Sequence, residues 1–184
     1  MIQRADGSLA YFIADINPAN PSDMTGTYVG QNEVVGTLVR AVDGTGLLTF
    51  PDQTTFAFNA AGQLTRISHP YPAAIDLVYV GGRLSQLIHS AGIIYTIAYT
   101  GAHISSITSS AGRSVNYSYS PTGDLTQVTL PDSATYTYSY DANHRLVEAR
   151  DPNNTPYLRN TFDGLGRVVE QRDQAGQLST FSYG

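Results

Sequence analysis

Tyr136-Thr137-Tyr138-Ser139-Tyr140-Asp141-Ala142-Asn143-His144-Arg145-Leu146 is the stretch that decides the fold. Its first five residues alternate rings with hydroxyls. A period of two puts rings on one face of a strand and hydroxyls on the other. Asp141 to His144 carries turn chemistry, because Asp and Asn accept backbone hydrogen bonds locally. Leu146 then opens a second apolar run. The stretch reads as strand, turn, strand: one β-hairpin.

The same hairpin recurs along the chain. Aliphatic residues that follow a turn stand at Leu64, Leu84, Ile104, Leu125, Leu146 and Val168, with steps of 20, 20, 21, 21 and 22 residues. An aromatic ladder precedes them at Phe58, Tyr79, Tyr99, Tyr119, Tyr140 and Phe162, and Tyr183 opens a further unit. Two ladders that hold one period mark a repeat architecture. Between the ladders lie turn residues: Gly62, Gly82, Gly123, Asp141, Asp163 and Gly166. A second turn closes each unit, as in Ala111-Gly112, Pro131-Asp132-Ser133 and Asp151-Pro152-Asn153-Asn154. In Leu125-Thr126-Gln127-Val128-Thr129-Leu130 the aliphatics are three apart before they are two apart. That break predicts a bulge or strong twist somewhere in the second strand. A lone hairpin is marginal in water, so the units must stack. The expected fold is all-β: antiparallel β-hairpin repeats of about 21 residues, stacked into one long curled sheet.

Composition agrees. Hydrophobic residues make up 41% of the 184, which predicts a sizeable core, and Tyr leads the aromatics with 13. All ten basic residues are Arg and the net charge is −5, so no basic patch exists to neutralise phosphates. Nucleic acid is excluded as a partner on that ground, and an anionic membrane surface is disfavoured. No run reaches the length of a membrane-spanning helix, so membrane insertion is not expected. There is no Cys, hence no disulfide framework and no thiolate metal site. The N-terminus, MIQRADGSLAYF, lacks the apolar segment of a signal peptide.

Two parts follow from the repeat. Residues 51–184 hold about six hairpin repeats, the last of them half complete. Residues 1–50 fit the period poorly and read as an irregular N-terminal lead-in or cap. Met1 to Phe12 and Val34 to Phe58 still look like hairpins, with Asp6-Gly7 and Asp43-Gly44 as turns. Asn17 to Asp23 reads as a loop.

Tyr140-Asp141-Ala142-Asn143-His144-Arg145-Leu146 and Phe162-Asp163-Gly164-Leu165-Gly166-Arg167-Val168 resemble the YD repeat, with its core Tyr-Asp-x-x-Gly-Arg-Leu. The resemblance extends over about residues 50–184, with Asn59, Val80, Thr100 or Ser120 replacing the Asp in looser units. It is a resemblance to the bacterial Rhs and toxin-complex shell proteins and to the teneurins. It implies a β-sheet that spirals into a hollow shell around a toxic C-terminal domain or other cargo. It implies partners in the remaining repeats and cargo of a longer parent chain, and a bacterial, secreted or cell-surface location. The family's self-cleavage motif, Asp-Pro-x-Gly, is not matched: Asp151-Pro152 is followed by Asn153-Asn154.

Catalytic and cofactor signatures are not found. The histidines His69, His89, His103 and His144 have no metal-ligand spacing. Twelve of the fifteen acids are Asp, the bias that turns demand. Asp141 and Asp163, at equivalent places in adjacent units, are expected to lie close together as turn residues. Serines lie in no Gly-x-Ser-x-Gly motif, and no phosphate loop occurs. No catalytic, cofactor or metal residue is therefore expected, and the function is read as structural rather than enzymatic. The rings are expected to pack on one another between units, which the register requires. The alternatives are an extracellular carbohydrate-binding or adhesion module, with rings stacked on glycan, and a filament subunit that self-associates through open edge strands.

Overall fold

The structure, a computed structural model, describes residues 36–71 and 73–184 and, before them, the strand residues 2–3, 9–10, 12–14 and 26–30. Every described element is a β-strand or a turn, and every pairing reported below is antiparallel. The chain divides into two bodies, residues 1–95 and 96–184.

In the first body β1 (Ile2–Gln3) pairs with β2 (Leu9–Ala10). A separate sheet runs through β3 (Phe12–Ala14), β4 (Gly26–Gly30), β5 (Thr37–Arg40) and β6 (Gly46–Thr49). It continues through β7 (Thr55–Phe58), β8 (Leu64–Ser68), β9 (Ala74–Val80) and β10 (Arg83–His89). Each strand pairs with the next in sequence. The turn at Asp6-Gly7 and the loop at Asn17 to Asp23 lie outside the described residues. Strand β11 (Ile94–Thr100) runs across the division.

The second body holds β12 (His103–Ser109), β13 (Ser114–Tyr119), β14 (Leu125–Thr129) and β15 (Thr135–Tyr140). Strands β16 (Leu146–Arg150), β17 (Pro156–Phe162), β18 (Val168–Asp173) and β19 (Leu178–Thr180) follow. Pairing is again between sequence neighbours. The expected curl is not produced within either body: each sheet is open and uncurled.

Register fixes what each face carries. Tyr117, Val128 and Tyr136 are partners across β13–β15, and Tyr138, Ala149 and Leu158 across β15–β17. That face is apolar. The opposite face pairs Ser118, Gln127, Thr137 and Arg150, then Ser139, Glu148, Arg159 and Arg172. A single layer has no second sheet to press on its rings. The sizeable core expected from composition is accordingly missing: among the described residues only Leu48, Ala74, Ile97 and Ala149 are buried hydrophobics. Ala149 is 1% exposed because its partners Tyr138 and Leu158 close over a methyl group.

The bulge has a fixed place. Tyr119 pairs with Leu125, while Ser118 pairs with Gln127, so Thr126 is the extra residue. The same slip recurs after Leu64, Leu84, Leu146 and Val168. Turns are equally regular. In the closing turns the first residue's N–H donates to the C=O four residues on, and the fourth residue's N–H donates back, as in Ser109 with Arg113 and Gly112 with Ser109. The fourth residue is left-handed: φ is +79° at Gly112 and +68° at Ser133.

A Cβ at Gly112 would meet nothing within 4 Å, so its replacement isolates the backbone cost. Gly112→Ala should therefore lower stability by about 1–2 kcal/mol in urea melts. Ser133→Gly should hold or raise it. A neutral Gly112→Ala would contradict the turn assignment.

Candidate functional site

The residues with the most organised side-chain geometry lie at the seams between successive repeats. Strand pairing places the two ladders opposite each other: Phe58 with Leu64, Tyr79 with Leu84, Tyr119 with Leu125, Tyr140 with Leu146, and Phe162 with Val168. Tyr99 lies in β11 and Ile104 in β12. Tyr183 follows β19 and is 47% exposed. The turn glycines Gly62, Gly82, Gly123 and Gly166 have φ between +79° and +92°.

The rings meet something the sequence reading had not singled out. At three seams the residue just before the aliphatic anchor reaches over the ring of the following repeat. His103 stacks on Tyr119 with centroids 4.5 Å apart. The Arg145 guanidinium lies 4.7 Å from the centre of the Phe162 ring, and that of Arg167 lies 4.5 Å from Tyr183. At these three seams the expected ring-on-ring packing is replaced by a planar spacer on a ring. Such a side chain suits a negative ring face. Gln63 belongs to the same column; its Nε2 donates to the Gly82 carbonyl, 3.1 Å away. The column, Gln63, Arg83, His103, Asp124, Arg145 and Arg167, was readable as a third ladder beside the two quoted above.

The hydroxyls add a second tie. Tyr79 Oη donates to the Leu64 carbonyl at 2.9 Å, and Tyr183 Oη to the Val168 carbonyl at 2.7 Å. Phe162 has no hydroxyl, and there Asn160 Nδ2 donates to the Leu146 carbonyl at 3.1 Å. In each case the acceptor is the carbonyl of the anchor at which the bulge begins.

Asp141 and Asp163 do not form a carboxylate pair; each has its own arginine. Asp141 Oδ1 accepts from the backbone N–H of Asn143 and Arg145, and Oδ2 from Arg145 Nε at 2.7 Å. Asp163 does the same with Leu165 and Arg167. Arg145 also reaches the Asp163 carbonyl at 3.4 Å, so it lies between the two turns. Arg145 side-chain bonding holds the Asp141 carboxyl below its ordinary value. For Asp163 the Arg167 backbone N–H leads, followed by its side chain.

One seam departs from this scheme. Asp124 stands in the spacer column, where it pushes the Tyr140 phenol up after burial itself. Its carboxylate takes His144 Nδ1 at 2.9 and 3.0 Å, and this bond lowers the Asp124 pKa. His144 occupies the left-handed turn position at φ +62°. His69 bonds Thr54 and His89 accepts from the Ala91 N–H, so these too serve local structure. On the apolar face, burial and the Tyr157 hydroxyl push Tyr138 up to about 12.

Residues 119–156, which contain this seam, match the sequence profile of the RHS Repeat family. The chain carries an RHS repeat. The matched segment runs from Tyr119 through the Tyr140–Leu146 hairpin to Pro156, and it is a structural repeat. No curated protein matches the chain. Among solved structures it is similar to the TcdB2-TccC3-Cdc42 crystal structure, at 17% identity and a TM-score of 0.49 over 76% of this chain. The Photorhabdus luminescens Tc holotoxin pore gives 17% identity and a TM-score of 0.47, also over 76%. A porin-like protein from Bacteroides uniformis gives 18% identity and a TM-score of 0.30 over 79% of this chain and 55% of its own. The chain spans 8% of the length of each of the first two.

Two outcomes follow from the seams. Tyr79→Phe removes only the hydroxyl bond to Leu64 and should cost about 1 kcal/mol in urea melts, with the ring retained. No change would mean that the bond has no energetic weight. The Asp carboxyls have folded values below the 3.8 of the unfolded chain, so the stability they contribute is present above that pH. It is lost as pH falls through the lower folded value. The urea midpoint should drop from about pH 4 downward, and less so in an Asp141→Asn, Asp163→Asn double variant. Parallel pH profiles would remove the carboxylates from the account.

Proposed function

We propose that this chain is a wall segment of an RHS-repeat shell that encloses a toxin or other cargo of a longer parent polypeptide. The observation that carries the reading is the seam. The spacers His103, Arg145 and Arg167 and the hydroxyls of Tyr79 and Tyr183 each tie a repeat to the next one, so the construction favours extension over a closed core or a catalytic cleft. The role is structural, without turnover of a substrate. Residues 1–50 serve as lead-in and residues 51–184 as about six repeats of the wall. The partners are further repeats of the same kind and the cargo. The setting is a bacterial, secreted or cell-surface protein.

Strand β19 supports a second reading. It pairs with β18, and all three of its residues are exposed. An exposed strand of this kind would accept another strand, from a further repeat or from a second copy.

Limited proteolysis of the parent polypeptide tests the wall reading. The region C-terminal to the repeats should resist protease under native conditions and become cleavable when Arg145→Ala and Phe162→Ala open a seam. Cleavage at the same rate in the native parent would defeat encapsulation. Concentration-dependent polymerisation of the 184-residue chain, blocked by Thr180→Lys, would instead favour the filament.

A further inference from the structure

The polar face of the second body carries a row that the seams do not use. Ser139, Glu148, Arg159 and Arg172 are successive register partners across β15–β18. Glu148 accepts from Arg159 Nε at 2.7 Å and from Arg150 Nε at 2.6 Å. Arg172 stands directly opposite Arg159. Among the described residues it has no carboxylate within ion-pairing distance. Like charges directly opposite on one face destabilise a sheet, so stability alone does not account for this rung. The same two arginines line a depression of about 420 Å³ with Ser139, Glu148, Thr161 and Glu170.

The surroundings limit what could lie there. Strands β17 and β18 are paired on both sides, so no peptide can add as a strand at this place. Recognition must come from side chains. Arg172 offers a planar fork of donors that suits a carboxylate. Thr161 and, farther along the row, Ser139 offer hydroxyls that have no side-chain partner among the described residues. Glu170, which has no ion pair among the described residues, offers only acceptors. It repels a bare acid and welcomes a ligand rich in hydroxyl donors. One carboxylate among several hydroxyls is the chemistry of an acidic sugar.

We propose that this depression binds a carboxylated sugar, with the carboxylate on Arg172 and ring hydroxyls on Glu170 and Thr161. The site stands apart from the wall reading, since it uses no seam residue and no cargo.

Calorimetric titration of the whole 184-residue chain at low salt, with D-glucuronate, D-glucose, acetate and N-acetylglutamate amide, tests it. Glucuronate should bind saturably and more tightly than the other three. Arg172→Gln should weaken it on the order of tenfold, as loss of a charge-assisted bond does. The thermal midpoint of that variant should not fall, because the change relieves a like-charge contact. Glu170→Gln should weaken glucuronate and strengthen acetate, opposite signs that a merely structural role would not give. Arg113→Gln, in a distant turn, should change neither. Acetate or N-acetylglutamate amide binding as tightly as glucuronate would overturn the sugar in favour of a bare carboxylate or an acidic side chain. No saturable binding by any of the four would remove the site.

Discussion

The pairing of an aromatic residue with an aliphatic one across each hairpin, with a bulge immediately after, is the constraint on which the rest depends. Tyr140 opposite Leu146 and Tyr119 opposite Leu125 set the register of their strands. A slip of one residue would send every ring to the polar face. The bulge turns this pairing into a link between repeats. It begins at the anchor, and the anchor's carbonyl takes the hydroxyl of the next ring at Leu64 and Val168. At Val168 the residue before the anchor, Arg167, covers that same ring.

This arrangement answers a difficulty inherent in a single layer. A sheet without a second layer buries little, and the four buried hydrophobics among the described residues reflect that. Stability then has to come from neighbours in the sheet, as in other repeat architectures where each unit contacts only the adjacent ones. A planar Arg or His on a ring suits such a place. It shields one ring face, keeps its polar atoms in water and needs no deep burial. The exposed ion pairs alone would contribute little. Their value here is that Asp141 and Asp163 fix the arginines in the orientation that stacking requires.

The seam at Asp124 shows how the scheme tolerates change. An acid cannot serve as a cation on the Tyr140 ring, and the compensation comes from the following turn. His144 takes the position that Gly166 takes in the next repeat, adopts the same left-handed backbone, and reaches back to the carboxylate. The same logic operates at Phe162, where Asn160 supplies the donor that the missing hydroxyl cannot.

Periodicity alone determined the strands, the turns and the two ladders, because a spacing of two within a strand and about 21 between repeats follows directly from backbone geometry. The resemblance carried by Tyr140–Leu146 pointed to the repeat type, and the RHS profile falls on the same residues. The place of the bulge at Thr126, the Arg145–Phe162 stack and the rung of Arg159 with Arg172 were decided only in three dimensions. Each is a relation between residues on neighbouring strands, set by register, and register depends on which pairing buries the most. The extent of burial was also beyond composition. A chain with 41% hydrophobic residues could pack two layers or spread into one, and the difference lies in what each face meets across space.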